Sequence, residues 1–588
     1  MTVDIVGTGP AVAAIESALG DVDTGTVRTD ASDVDSLALS ESDLAVVVGP
    51  AGDAVFEQVN ERARPVDRPW IAVELGGVGG RPLVPAAVTG FDPAGPCYEC
   101  LAGRVAANLD SGATAEARTA DEAEPAAQAE PAARQPVPTV RFAGAVAGRA
   151  AARFVTAGDR EILGTVVEVD GPRRRLLPLP GCDCTQHAGT DLSRESVQRD
   201  LEEALARAEG GLDERVGIVQ EVGEAESFPV PYYLARGCDT SGFSDATAGR
   251  DAAGVAAGWD AAFMKALGEG LERYCAGVYR TDAFETGAPA ALPETVDPSA
   301  FVCETAPDPG ASRYWVPGEH IASGSEVRLP AELVYYPPPE EQVRPPITTG
   351  LGLGNGGAEA LVAGLTEVVE RDAAMLAWYS TFEPLGLTVE DEDFAELVGR
   401  ARSEDLAVTP LLLTQDVDVP VVAVCVHRSE WPRFAVGSAA DLDASRAATG
   451  ALAEALQNWV ELRGMGSERA ADAGGRIGHY ADLPEAAADF VDVETTVPAS
   501  TVGPAAAPTG TDALRRLLDE LESADLAAYA ARLTTRDVDT LGFEAVRALV
   551  PAAQPLFFGE PYFGERARTV PASLGYEHES DRPHHPFP

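Results

Sequence analysis

Residues 348–372 read TTGLGLGNGGAEALVAGLTEVVERD, a glycine-rich turn that leads directly into a helical pattern. The helical part carries Glu359, Glu367 and Glu370, whose spacing places them within roughly 80° of one another around a helix. Their neighbours are mostly Leu, Val and Ala, which predicts a buried helix. Carboxylates in an apolar helix are costly unless a cation compensates them, so the stretch favours a metal or cationic ligand over a solvated acidic stripe.

Two further helical patterns, in residues 258–274 and 451–463, also carry glutamates. In the first, Glu269 and Glu272 stand three apart and therefore on one helix face. Lys265, the chain's single lysine, lies four residues before Glu269, which indicates either a retained role or a simple salt bridge. In the second, three side chains share a face: Glu454, Gln457 and Glu461.

Many glutamates without a matching cluster of Asp, His or Cys favour Mg²⁺, which prefers oxygen ligands. Arg273 and Arg371 directly follow acidic residues and could reach phosphate. No G-x-x-x-x-G-K-[ST] segment occurs in the sequence. Together these features predict a nucleoside triphosphate site that has no P-loop.

The N-terminal part predicts a small α/β domain. The expected elements are strands at 3–6, 44–48, 70–74 and 161–168 and helices at 11–19 and 140–156. Gly7-Thr8-Gly9 could cradle a phosphate at a helix N-terminus, as in a dinucleotide oxidoreductase. No acidic ribose partner follows at the usual distance, which favours a purely structural turn.

Composition divides the chain further. Residues 111–138 are rich in Ala, Glu and Pro without any aromatic side chain, which predicts a disordered acidic insertion. Residues 191–209 read as a charged helix. We therefore expect a domain at 1–190, a linker helix at 191–215 and a larger domain of mixed sheets and long helices at 216–588.

Eight cysteines occur, and four of them form two close pairs. Cys97 and Cys100 form a C-x-x-C, and Cys182 and Cys184 form a C-x-C about eighty residues later. Four thiolates from two turns predict a closed, structural Zn²⁺ site, with coincidental thiols or a redox pair as the alternatives. The remaining four are expected in cores: Cys238, Cys275, Cys303 and Cys425.

The charge balance is extreme, with 94 acidic against 44 basic residues and a net charge of −50. Because the excess is spread along the chain, it indicates a halophilic, salt-rich solvent rather than a particular partner. No basic stripe is available for nucleic acid. The sequence has no apolar stretch of 18 residues and no signal-type start, which predicts a soluble, cytoplasmic protein without a membrane span.

With three glutamate motifs in this order, residues 215–588 resemble the YcaO family. The ending RPHHPFP (582–588) resembles the proline-rich C-terminus of its azole-forming cyclodehydratases. The N-terminal part, with its cysteine pairs, resembles the degenerate ubiquitin-activating (E1-like) domain that accompanies such enzymes. The chain departs from the family pattern at Lys265, where Ser is frequent, at Thr349, where Asn is common, and in the additional His of its ending.

The resemblance implies an α/β protein with an α+β catalytic domain. It further implies an ATP-dependent cyclodehydratase that converts Cys, Ser or Thr of a ribosomal precursor peptide into azolines, as in microcin-type bacteriocin biosynthesis. The implied site residues are Glu269, Glu272, Glu359, Glu367 and Glu370 for Mg²⁺; Lys265, Arg273, Thr349, Glu359, Arg371, Glu454 and Gln457 for ATP; and Arg371, His585 and Pro588 for catalysis.

The resemblance leaves several points open. Thioamide formation would use the same ATP site, and a non-catalytic peptide-binding scaffold could keep ATP as a structural ligand. Besides the precursor peptide, a second copy of the chain and a flavin-dependent dehydrogenase are the partners that the family allows. The E1-like domain is expected to bind the leader of the precursor or to dock the catalytic domain.

Overall fold

The first strand ends in the Gly7-Thr8-Gly9 turn and leads into a helix. Gly7 has φ 117°, and a Cβ atom there would lie 2.5 Å from the carbonyl oxygen of Val48 in the neighbouring strand. Only glycine fits such a position. The packing of the strand against its neighbour therefore explains Gly7 without a bound phosphate.

The structure is a computed structural model that describes residues 2–22, 24–30, 39, 42–109, 135–184, 189–472 and 476–587. The described residues form two units. Unit 1 comprises those within 1–188, 210–220 and 238–244, and unit 2 comprises those within 189–209, 221–237 and 245–588. The chain therefore passes between the units more than once.

Unit 1 contains a seven-stranded sheet of order β2-β1-β3-β4-β5-β6-β7. Its strands are β1 Thr2–Val6, β2 Gly25–Thr29, β3 Leu44–Pro50, β4 Trp70–Leu75, β5 Ala86–Phe91, β6 Thr165–Glu168 and β7 Arg173–Arg175. The strands β2, β1, β3 and β4 are parallel, and β5 to β7 continue the sheet antiparallel. Parallel neighbours need crossover connections, which helices provide.

The helices of unit 1 are α1 Pro10–Gly20, α2 Ala54–Ala63, α3 Tyr98–Ala107 and α4 Val137–Ala157. The predicted helices at 11–19 and 140–156 are confirmed within three residues at each end. The predicted strand at 161–168 is confirmed only from Thr165 onward. The predicted insertion ends earlier than expected, because α4 already begins at Val137; its residues 111–134 lie outside the described part of the chain.

Strands β8 to β21 form three further sheets, of orders β10-β9-β8, β11-β12-β20-β21-β14 with β13 beside β12, and β18-β17-β16-β15-β19. Their bounds are β8 Val219–Glu226, β9 Tyr232–Gly237, β10 Asp251–Val255, β11 Glu285–Gly287, β12 Arg313–His320, β13 Ser325–Pro330, β14 Leu351–Gly354, β15 Leu385–Thr388, β16 Ala407–Leu412, β17 Val421–His427, β18 Phe434–Ala440, β19 Thr496–Pro498, β20 Tyr529–Arg532 and β21 Glu544–Leu549.

The helices of unit 2 are α5 Leu201–Ala208, α6 Trp259–Gly277, α7 Ala331–Val334, α8 Gly357–Trp378, α9 Glu392–Ser403, α10 Ala444–Met465, α11 Ser467–Asp472, α12 Arg476–Tyr480, α13 Glu485–Val491, α14 Gly510–Ser523, α15 Arg536–Leu541 and α16 Arg566–Leu574. Mixed sheets and long helices confirm the fold class predicted from the sequence. Within the described residues, no helix combines the length and apolar composition that crossing a bilayer requires.

Three long helices pack closely on the strands that precede them: α6 on β10, α8 on β14 and α10 on β18. Glycines allow this close approach. A Cβ atom at Gly254 would lie 2.1 Å from the backbone nitrogen of Ala266, and one at Gly437 would lie 2.4 Å from that of Ala455. The strands therefore hold the helices at backbone contact distance.

The helix predicted over 191–209 is wrong for its first half, since only Leu201–Ala208 is helical. The preceding residues are not helical because their arginines donate to backbone carbonyls elsewhere in unit 2. Arg194 donates to Ile321 at 2.8 Å, and Arg199 donates to Gly542 at 2.7 Å. Contacts distant in sequence decide this segment, and a local pattern does not contain them.

Candidate active site

A cavity of about 310 Å³ in unit 2 is lined by acidic side chains from three helices. Glu269 and Glu272 come from α6, Glu367 comes from α8 and Glu454 comes from α10. The remaining lining residues are Arg273, Ile347, Thr348, Thr349, Arg371, Leu556 and Phe558. The structure thus brings together glutamates that are up to 185 positions apart in the sequence.

One glutamate on each of these helices is bound to the backbone of the adjacent strand segment. The pairs are Glu269 with the Ala253 N–H (2.7 Å), Glu367 with the Gly350 N–H (2.9 Å) and Glu454 with the Ser438 N–H (2.7 Å). Carboxylates that bind metals are commonly oriented by such hydrogen bonds. The sheets therefore fix the positions of three acids around one cavity.

Desolvation in the cavity favours the protonated form of these acids. It raises the pKa of Glu272 to about 8 and that of Glu454 to about 7, and it also raises the pKa of Glu367. The carboxylates of Glu367 and Glu269 raise the pKa of Glu272 further. Because like charges in a low-dielectric site repel, the cavity is suited to receive a cation.

Two arginines partly balance the four acids of the lining. Arg273 donates to Glu269 through Nε at 2.9 Å. Arg371 Nη1 lies 3.4 Å from Oε1 of Glu370, a buried acid next to the lining. Four glutamates against two arginines leave the lining with negative charge at a pH where all are ionised. The arrangement can therefore hold positive ions together with a phosphate chain.

The structure does not bring every predicted residue to this cavity. Glu359 lines a different cavity, where it accepts the backbone N–H of Asn355 at 3.0 Å. Gln457 donates to Glu461 at 3.1 Å and is absent from the described lining. Lys265 is also absent from the lining. Desolvation lowers the pKa of Lys265, and the negative charge of Glu454 partly opposes this shift.

Residues 253–554, just over half of the chain, match the family model described as YcaO cyclodehydratase, ATP- and Mg²⁺-binding. The chain belongs to the YcaO family. A protein from Methanothermobacter thermautotrophicus, described as uncharacterized, is 30% identical over 208 residues, which are 33% of this chain and 53% of that protein. The match thus spans about half the length of this curated relative.

Solved structures share the fold of this YcaO chain, two of them over nearly its whole length. A heterocyclase in complex with substrate and cofactor gives a TM-score of 0.73 at 20% identity, covering 98% of this chain and 83% of that one. The heterocyclase TruD gives 0.64 at 18% identity, covering 98% and 82%. YcaO from Methanopyrus kandleri, bound with AMPPCP and Mg²⁺, gives 0.50 at 24% identity, covering 62% and 96%.

The C-terminal segment of this YcaO chain packs into the core of unit 2. His585 is fully buried, and its Nε2 donates to the carbonyl of Phe557 at 2.8 Å. The indole N–H of Trp378 donates to the carbonyl of Pro583 at 2.7 Å. The structure therefore does not bring His585 to the cavity, and Pro588 lies outside the described residues.

Sequence reasoning missed the apolar side of the cavity. Leu556 and Phe558 line it, and Phe558 is 60% exposed. The run Pro-Leu-Phe-Phe at 555–558 would ordinarily be assigned to a core. The adjacent Gly559, which favours a loop, was the only local signal that these side chains could face an opening.

The two cysteine pairs meet in unit 1. The sulfurs of Cys97 and Cys182 are 3.5 Å apart, those of Cys100 and Cys184 are 3.3 Å apart, and all four lie within 4.8 Å of one another. The backbone N–H of Leu179 donates to the Cys100 sulfur at 3.2 Å. Hydrogen bonding from neighbouring thiols lowers the pKa of Cys97 to about 7. This cluster could hold a metal ion.

Proposed function

We propose that the chain is an ATP-dependent cyclodehydratase that forms azoline rings from Cys, Ser or Thr of a ribosomally made precursor peptide. The convergence of Glu269, Glu272, Glu367 and Glu454 on one cavity carries this proposal. Membership of a family whose model describes ATP and Mg²⁺ binding supports it.

The donor chemistry of the cavity fits both ligands. Carboxylate oxygens are the protein ligands that Mg²⁺ prefers, and guanidinium groups match phosphate oxygens. A volume of about 310 Å³ is within the range of small-molecule sites. We assign Mg²⁺ to Glu269, Glu272, Glu367 and Glu370, and the nucleotide to Arg273, Thr349, Arg371 and Glu454. Glu359, Lys265 and Gln457 stay sequence-based predictions.

In the proposed reaction, the precursor's thiol or hydroxyl loses its proton and attacks the preceding amide carbon, which closes the five-membered ring. The resulting oxyanion takes the γ-phosphoryl group of ATP, and ADP leaves. Phosphate then leaves with that oxygen, the amide nitrogen loses its proton, and a C=N bond forms in the ring. Bound Mg²⁺ would supply positive charge next to the phosphates. Arg371 and Arg273 hold phosphate oxygens, and the Ser438 N–H keeps Glu454 in place.

For unit 1 we propose a structural Zn²⁺ site at Cys97, Cys100, Cys182 and Cys184. Four sulfurs within 4.8 Å supply all the ligands that tetrahedral Zn²⁺ takes, which leaves no open position for catalysis. We further propose that residues 1–190 are an E1-like domain that binds the leader of the precursor. The Gly-x-Gly turn and the parallel strands that surround it are compatible with this assignment.

The acidic composition bears on where the enzyme works. At a net charge of −50, the acidic side chains repel one another strongly at low ionic strength. Concentrated salt screens this repulsion. We therefore propose a halophilic, cytoplasmic enzyme, and activity should be measured in concentrated KCl.

The decisive experiment incubates the full chain with ATP, Mg²⁺ and candidate precursor peptides. Each ring should lower the peptide mass by one water and consume one ATP. Glu367→Gln should lower the rate about 100-fold or more, because charge stabilisation at the phosphates carries most of the barrier. Glu392→Gln, at the first turn of α9, is the matched control and should retain activity.

Unchanged ATP turnover in Glu367→Gln would contradict the site assignment. An oxygen-to-sulfur exchange in the peptide, instead of water loss, would replace the proposed product with a thioamide. Nucleotide binding without peptide-dependent hydrolysis would indicate a scaffold.

A further inference from the structure

A small recess shares part of its lining with the glutamate-lined cavity. Arg344 lines this recess, and Ile347, Thr349 and Arg371 line both the recess and the cavity. The recess has a volume of about 20 Å³, which is room for one water-sized group. A ligand that reaches Arg344 must therefore have most of its atoms in the larger cavity.

Arg344 is not paired with a carboxylate in the part of the chain that the structure describes. It makes no hydrogen bond or ion pair with the residues that the structure describes. The carboxylate that favours the charge of Arg344 is Glu332. It already accepts hydrogen bonds from the backbone N–H groups of Gln342 and Val343, at 2.6 and 2.9 Å. It also forms an ion pair with Arg313 at 3.3 Å. The guanidinium of Arg344 is thus available to a ligand.

Arg547 adds a second guanidinium close to the same place. It is 2% exposed, and its Nη atoms donate to the carbonyls of Thr348 and Ile347 at 2.8 and 2.7 Å. Its buried Nε has no hydrogen-bond partner among the described residues. Desolvation lowers the pKa of Arg547 to about 9, and the charge of Arg344 contributes to that shift. The charges of Glu367 and Glu272 offset part of this shift at Arg547, whereas the carboxylate that favours the charge of Arg344, Glu332, is already engaged. A further anion beside Arg344 would therefore stabilise the two cations.

We propose that Arg344 and Arg371 bind a phosphate oxyanion at this end of the cavity. One oxygen of the phosphate enters the recess and accepts from the guanidinium of Arg344, and the phosphorus atom stays in the larger cavity. Charge-assisted hydrogen bonds from a planar guanidinium suit tetrahedral oxyanions. The inference rests on the proposed function in naming phosphate as the anion, and it makes Arg344 a binding residue for the phosphoryl group that ATP gives up.

Inorganic phosphate is the probe. Potassium phosphate should raise the thermal unfolding midpoint of the full chain relative to KCl at equal ionic strength. Arg344→Gln should lose most of this rise, and its phosphate affinity in a calorimetric titration should fall about 10-fold or more. Arg402→Gln, at an exposed position of α9, is the matched control and should behave as the wild type.

A second readout separates binding from a structural role. Without phosphate, Arg344→Gln should unfold at a higher temperature than the wild type, because it removes an uncompensated charge. An arginine that merely supported the fold would give the opposite sign. Arg344→Lys keeps the charge without the planar fork and should bind phosphate with intermediate affinity.

Equal phosphate affinity in the wild type and Arg344→Gln would overturn the assignment. A wild type whose thermal unfolding midpoint is the same in potassium phosphate and in KCl of equal ionic strength would also overturn it. Either result could occur with ring formation intact, and the proposed function would then survive. Absence of ring formation together with Arg344-dependent phosphate binding would count against the proposed function alone.

Discussion

Ser438 joins strand β18 to helix α8 through a 2.6 Å hydrogen bond from its hydroxyl to the carboxylate of Glu370. Its backbone N–H donates at the same time to Glu454 of helix α10. One strand residue thereby links acids on two of the three helices around the cavity. Because Glu370 is buried, this hydroxyl satisfies a carboxylate that water cannot reach easily.

Replacing Ser438 with Ala should destabilise the chain by about 1–3 kcal/mol, because a buried carboxylate loses a hydrogen bond while the backbone bond to Glu454 remains. Denaturant unfolding at constant KCl measures this. Ser403→Ala, at an exposed position of α9, should stay within about 0.5 kcal/mol of the wild type. Equal stability of the two variants would show that the hydroxyl contributes nothing.

Stability of the Mg²⁺-free chain should fall as pH rises. The pKa of Glu272 is raised from 4.5 to about 8 and that of Glu454 to about 7, so the folded state binds more protons than the unfolded state between these values. The stabilisation is complete below about pH 4.5 and is lost as pH rises through about 8. Unfolding at pH 5.5 to 8 with a chelator present would measure the slope.

Mg²⁺ should reduce that slope, because it replaces the protons and stabilises the ionised acids. Glu272→Gln should flatten the slope even without Mg²⁺. A wild-type slope that Mg²⁺ leaves unchanged would mean that the cation binds elsewhere.

Cys100→Ser should abolish metal binding in unit 1. Purified wild type should contain one Zn²⁺ per chain by elemental analysis, and the variant should contain none and unfold at a lower temperature. Cys303→Ser, which changes a cysteine outside the cluster, should retain the metal. Wild-type protein that lacks metal after purification without chelator would refute the zinc assignment.

Gly437→Ala should damage both the fold and ATP turnover. The new Cβ would lie 2.4 Å from the backbone nitrogen of Ala455 and 2.7 Å from the Cβ of Glu454, so α10 must move away from β18. We expect a loss of about 1–3 kcal/mol and a reduced rate. Gly464→Ala, at an open position of the same helix, should instead stabilise the chain by about 0.5–1 kcal/mol.

The glutamate helices could be predicted from the sequence because helical spacing is a local property. Three and four residues return to the same face, so Glu269 and Glu272 had to be neighbours. The angle around a helix does not report distance along it, however. Glu359 and Glu367 share a face but are about 12 Å apart along the axis, and only Glu367 lines the cavity.

The C-terminal segment illustrates the same limit. His585 was expected in the active site from a terminal motif, yet aromatic side chains of the core enclose it and its imidazole binds the Phe557 carbonyl. A motif reports which residues are present, whereas burial depends on side chains that come from distant positions.

The sequence by itself determined the helices that carry acids, the paired cysteines and the acid excess, because spacing and composition act over a few residues. Tertiary structure decided which acids meet in one cavity, that Arg344 and Arg371 line one recess, and that residues before Leu201 are not helical. These outcomes depend on the packing of strands and helices far apart in the chain, and that packing follows from the free energy of the whole fold.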